Sequence, residues 1–124
     1  MVVVVDLKNN NMEEKKVKIK IKNVAQSPLK LRLVADLIRG KDVNEALDIL
    51  QFTNKKGSIF LKKALLSGVA AANEEYGADP EILKISHISI DGAAIYKRGR
   101  YASRGRSSKI LKRRSHINLE LEVK

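Results

Sequence analysis

Nine cations and no carboxylate fall within residues 97–114, and six of the chain's eight arginines are among them: Arg98, Arg100, Arg104, Arg106, Arg113 and Arg114. Arginine's planar fork grips phosphate through two hydrogen bonds and stacks on bases, whereas lysine supplies a point charge. Gly99 and Gly105 let a backbone approach closely, and Tyr96 and Tyr101 offer stacking faces. Together these residue types point to contact with a nucleic acid. A solvated basic linker is the plainer alternative, but ordinary linkers mix both signs.

The remaining reactive side chains support no comparable chemistry. His87 and His116 are the only histidines, and no carboxylate is spaced to orient either ring for general acid–base cleavage of RNA. Two histidines without a carboxylate cluster do not make a metal shell. The absence of cysteine excludes disulfides, thiolate metal sites and thiol nucleophiles together. No enzymatic activity and no cofactor are expected.

Of the formal net charge of +11, residues 24–96 contribute nothing, since nine basic and nine acidic residues cancel there. Charge spread over a surface serves solubility; charge gathered in one segment suggests a docking element. The 124 residues make one domain, and 44% hydrophobic content is too high for a disordered tail. The apolar run at residues 2–5 stops at Asp6 and lacks a basic lead, so it does not read as a signal peptide. Residues 97–109 have no continuous apolar face for a membrane surface. A cytoplasmic protein is expected.

The elements that hold the basic segment follow from periodicity. Residues 1–16 read as an irregular extension with an Asn9-Asn10-Asn11 turn signal, a short strand at residues 2–5 and a second candidate start at Met12. Residues 17–124 read as one domain. Val17, Ile19 and Ile21 alternate with Lys18, Lys20 and Lys22, a strand with one wet face. Ser27-Pro28 is a helix start, Leu31, Val34, Ala35 and Ile38 its buried stripe, and Gly40 its stop. Asp42 and Glu45 have capping-box spacing before a second helix striped by Val43, Ala46, Leu47 and Leu50.

A third helix spans about residues 57–76; residues 64–72 carry no charge, which predicts a core helix covered by other elements, with Gly68 at a close contact. Phe52, Phe60 and Tyr76 read as core or core edge. Residues 82–90 form a strand of impure alternation. In the last strand Ile117, Leu119, Leu121 and Val123 alternate with His116, Asn118, Glu120 and Glu122. If this strand lies beside the first, its glutamates face the lysine row.

The fold class is therefore α+β, a three-stranded antiparallel sheet packed against three helices with a long protruding basic β-hairpin. The hairpin covers about residues 85–116, with its basic tip region at 97–109. Folding residues 91–113 back on themselves gives arms of roughly 36 Å at about 3.3 Å per residue. A globule of this size has a radius of gyration of about 13 Å, so the ribbon must project from it. Nine mutually repelling cations on a two-stranded ribbon predict an arm that orders only against a counter-charged surface. From these residues alone the runner-up is an architectural DNA-binding protein with a basic β-arm. Such arms usually dimerise and carry an apolar or proline wedge at the tip, whereas the only prolines here are Pro28 and Pro80.

SPLKLRLVADLIRGK at residues 27–41, EALDIL at 45–50 and ILKRRSHI at 110–117 resemble bacterial-type large-subunit ribosomal protein twenty-two, the uL22 family. The likeness runs from about residue 24 to 123 with every element in order. The resemblance implies a structural constituent of the large ribosomal subunit that binds several domains of 23S-type rRNA, joins early in assembly and touches neighbouring ribosomal proteins. It further implies a protein monomeric when free, whose hairpin threads inward to line the polypeptide exit tunnel and meet the nascent polypeptide, near the macrolide site. An organellar ribosome fits the resemblance as well as a cytoplasmic one. Carried onto matching positions, the implied rRNA contacts on the body are Lys30, Arg32, Arg39 and Lys41. On the arm they are Lys97, Arg98, Arg100, Arg104, Gly105, Arg106, Lys109, Lys112, Arg113 and Arg114. The tunnel-lining tip would be Arg100, Tyr101, Ala102, Ser103 and Arg104. Here the chain departs from the family pattern, with Tyr101-Ala102-Ser103 where many bacterial members have Pro-Arg-Ala. His116 falls in the family's Ser-His-Ile, a structural position.

Overall fold

Valine and isoleucine alternating with lysine make a strand that can bury one face and wet the other. In the computed structural model, which describes residues 2–6 and 15–124, that strand is the second of six among the described residues. The strands are β1 (Val2–Asp6), β2 (Lys16–Val24), β3 (Leu83–Gly92), β4 (Tyr96–Tyr101), β5 (Ser107–Lys112) and β6 (Ser115–Val123). Three helices, α1 (Pro28–Ile38), α2 (Val43–Phe52) and α3 (Lys56–Tyr76), fall between β2 and β3. The fold is α+β, with the helices on one face of an antiparallel sheet of order β1-β2-β6-β3.

The body sheet has four strands rather than the expected three. Val2–Asp6 adds to the outer edge of β2, from Val2 opposite Lys22 to Asp6 opposite Lys18. An edge strand offers a row of free N–H and C=O groups, and β1 satisfies that row. The Asn9-Asn10-Asn11 turn and the Met12 start lie outside the described residues.

The first and last strands are neighbours, with Ile19 opposite Leu119 and Lys18 opposite Glu120. The lysine row therefore faces the glutamates, and Lys16 Nζ lies 3.5 Å from Glu120 Oε1. The impure alternation of β3 has a local cause. Its register with β6 shifts between Ile85 and His87, so Ser86 is an extra residue and Ile85 and Ile88 both point inward.

Ser27 Oγ accepts the Lys30 N–H at 3.4 Å, and Leu31, Val34, Ala35 and Ile38 of α1 are buried as their spacing predicts. The capping box at Asp42 and Glu45 is not formed. Asp42 occupies the N-cap position without a side-chain cap bond; it pairs instead with Lys124 at 2.8 Å, and Glu45 pairs with Lys41 at 3.7 Å. At Gly68 of α3, a Cβ would sit 2.6 Å from the Cδ1 atoms of both Ile19 and Leu121, so the glycine lets the helix rest directly on β2 and β6.

Two packing expectations differ from the outcome. α3 packs on β2, β6, α1 and α2, but its outer side stays open, because a chain this small has no further layer to lay over it, and Ile59 and Leu66 are exposed. Phe60 and Tyr76 do pack at the core edge, whereas Phe52 at the last position of α2 is 83% exposed.

Candidate nucleic-acid interface

β3 and β6 pair as far as Gly92 opposite Ser115, and the Ala93 N–H donates to the Arg114 carbonyl at 2.9 Å. Pairing resumes with Tyr96 opposite Lys112 and continues to Tyr101 opposite Ser107 as a separate two-stranded sheet. Three residues, 93–95, thus face two, 113 and 114, and this bulge breaks the ladder where the arm leaves the body. Residues 94–109 are exposed throughout.

The turn is centred on Arg104. Ala102 N–H donates to the Arg106 carbonyl at 2.6 Å, and Arg104 and Gly105 take left-handed conformations at φ 60° and 72°. The tip expected at residues 100–104 is therefore displaced toward the C-terminus. Arg100 and Tyr101 belong to β4, opposite Ser108 and Ser107, and the turn forms where glycine supplies positive φ cheaply.

Strand alternation distributes the arm's charge over both sides. Arg98, Arg100 and Lys112 share one face with Tyr96, Ser108 and Ile110. Lys97 and Lys109 share the other with Tyr101 and Leu111. Among the described residues no carboxylate pairs with any of these cations. A ribbon cationic on both faces suits an anion that surrounds it better than one that lies flat against it.

The body residues divide into two groups. Arg32, through Nε and Nη2, donates to the Ile90 carbonyl at 3.2 and 3.0 Å, and Arg39 Nη1 donates to the Ile88 carbonyl at 2.6 Å. β3 is the other edge of the sheet, and these two arginines, one within α1 and one at its C-cap, donate to its carbonyls. Arg39 also reaches Asp36 at 3.2 Å, and Lys41 pairs with Glu45 while its carbonyl accepts the Ile85 N–H at 3.0 Å. Arg114 turns inward, donating to Asn23 Oδ1 at 3.0 Å and to the Asn23 carbonyl at 2.9 Å. Arg32, Arg39, Lys41 and Arg114 are thus engaged within the chain.

Lys30 differs. It lines a groove of about 360 Å³ with Gln26, Lys56, Lys112, Arg113 and Arg114, and no carboxylate lines it. A neighbouring groove of about 580 Å³ adds Lys55. The two grooves share Gln26, Lys30 and Lys56, so lysines of the body adjoin the cations of the arm root. The Lys55-Lys56 and Lys62-Lys63 pairs are alike in residue type, and the packing of α3 on α1 brings the first beside Lys30. The available signal was Gly57: a Cβ there would meet Leu31 at 3.1 Å and Val34 at 3.4 Å, a close helix crossing that brings Lys56 beside Lys30.

The histidines do not form a site. His87 is opposite Glu120 and His116 opposite Asp91, four residues or about 13 Å apart along the strand. His116 Nδ1 accepts the Asn23 N–H at 3.1 Å, a structural bond. Among the described residues no group of three His, Cys, Asp or Glu side chains is placed to hold a metal ion.

A protein-family model described as ribosomal protein L22p/L17e matches residues 19–122. The matched span takes in all three helices, the whole arm and the bulge at its root, and it leaves out β1. The cationic arm and the helical body correspond to one continuous family match over most of the chain: the chain belongs to the ribosomal protein L22p/L17e family, with a structural rather than catalytic role in the ribosome.

Proposed function

We propose that the protein binds 23S-type rRNA of the large subunit, with the body seated on RNA and the arm inserted between RNA segments to line the polypeptide exit tunnel. In this reading it joins the subunit early, beside other large-subunit ribosomal proteins, in the cytoplasm. The observation that carries the reading is the arm, exposed over residues 94–109 and cationic on both faces with no acidic residue from 97 to 114. The groove of Lys30, Lys56, Lys112, Arg113 and Arg114 supplies a second anchor at its root. Arg98, Arg100, Arg104, Arg106, Lys97 and Lys109 are the arm's contacts, and the turn at residues 102–106 is the part nearest the nascent chain.

Titrating large-subunit rRNA with the full chain and with a variant lacking residues 98–106, across salt, tests this. The deletion removes four arginines, and at about 0.7–0.9 per phosphate contact the log–log salt slope should fall by roughly 3. Equal affinity for duplex DNA, together with dimerisation, would overturn the reading in favour of an architectural DNA-binding protein. The turn carries no proline or large apolar wedge of the kind such proteins insert between base steps.

A further inference from the structure

The arm leaves the body through two interruptions of the sheet that lie side by side. One is the bulge of residues 93–95 against 113 and 114. The other lies in β2, whose register with β6 shifts between Ile21 and Val24, and there Asn23 takes a left-handed conformation at φ 60°. A two-stranded ribbon joined to a sheet through a bulge has no continuous ladder to set its direction. Something else must do so.

We propose that Asn23, Tyr96 and Arg114 form a clamp that sets the direction of the arm relative to the body before any RNA is met. Every polar group of Asn23 is engaged at the joint. The side-chain oxygen and the backbone carbonyl both accept from the Arg114 guanidinium, the side-chain amide donates to Tyr96 Oη at 3.0 Å, and the backbone N–H donates to His116. The Arg114 guanidinium lies 5.0 Å from the centre of the Tyr96 ring, closing the loop by a cation–π contact. The next residue, Ser115, is buried and donates to the Gln26 carbonyl at 2.5 Å, so the clamp rests on a fixed point of the body.

Tyr96 is the first residue of β4, Arg114 lies at the bulge, and Asn23 belongs to the body; the three span the joint from both sides. Arg114, which lines the groove together with Arg113, therefore acts as a positioning residue through its bonds to Asn23. The use of a pre-aimed arm rests on the RNA-binding reading, but the clamp is a property of the free protein and can be tested without RNA.

The chain has no cysteine, so cysteines introduced at exposed Ser108 on the arm and Glu74 on α3 carry spin labels at two defined sites. Pulsed electron-resonance measurement of their separation in the free protein should give one narrow distribution. The double variant Asn23→Gly with Arg114→Lys keeps the left-handed backbone and the charge and removes the fork and the side-chain amide. It should lose the narrow distribution while the melting of the body is unchanged, and Arg113→Lys should retain it. Should the double variant fail to fold, Tyr96→Ala removes the ring from the exposed side of the joint and should broaden the distribution by itself. A distribution that stays narrow in these variants, or that is already broad in the parent, overturns the clamp. The rRNA titration is read separately, so failure of RNA binding and failure of the clamp are distinguishable.

Discussion

The body and the arm are built from the same kinds of strand and differ in what holds them. In the body, Ile19, Ile21, Leu65, Ile117 and Leu121 are each no more than 2% exposed, and lysines and glutamates pair across the open face. In the arm, Ile110 is the only side chain between residues 94 and 113 that is even half-buried, and like charges share each face. Body stability comes from apolar burial, which needs no partner. The arm has a backbone ladder and a clamp at its root, and its side chains are left to an external anion. A region unsupported by its own core is one whose function lies outside the molecule.

Substitutions can break this contrast in order of size. Leu65→Ala, emptying the space between α3 and the sheet, should destabilise the whole body by about 2–5 kcal/mol, read as a lower urea midpoint. Gly105→Val, forcing a β-branched residue into φ 72°, should cost about 1–2 kcal/mol within the turn alone. It should speed hydrogen exchange of the arm amides and leave the body midpoint in place. Arg32→Met should cost about 1 kcal/mol by uncapping the Ile90 carbonyl, and it should reduce body stability without changing the rRNA salt slope. A lowered slope would instead make Arg32 a phosphate contact. Leu111→Ala on the arm should shift the urea midpoint by less than about 0.5 kcal/mol, since the side chain is already exposed.

Much of the body was legible because its signals are local. Alternation in residues 17–22 and 116–123, the Ser27-Pro28 start and the stripe from Leu31 to Ile38 are each decided within a few residues, and each forms as read. The arm was legible by charge, because nine cations without a carboxylate have no use inside a core. The Asp42–Glu45 box failed because a partner distant in sequence, Lys124, takes the Asp42 carboxylate. Phe52 failed because hydrophobicity alone does not say which way the end of a helix points.

The division among the basic residues shows where local information stops. Arg113 and Arg114 are adjacent and chemically identical and both line the groove shared with Lys30, yet it is Arg114 that also donates to Asn23, ninety-one residues away. Nothing in residue type or spacing says that Arg32 and Arg39 also donate to carbonyls of β3, an edge strand some fifty residues away. Residue type and spacing determine that a strand, a helix or a cationic ribbon forms, because those preferences act over one or two turns of chain. Which arginine holds the protein together and which remains available to a phosphate is decided only by tertiary structure. A hydrogen bond is made with whatever acceptor the fold brings within about 3 Å, and separation along the chain carries no information about that.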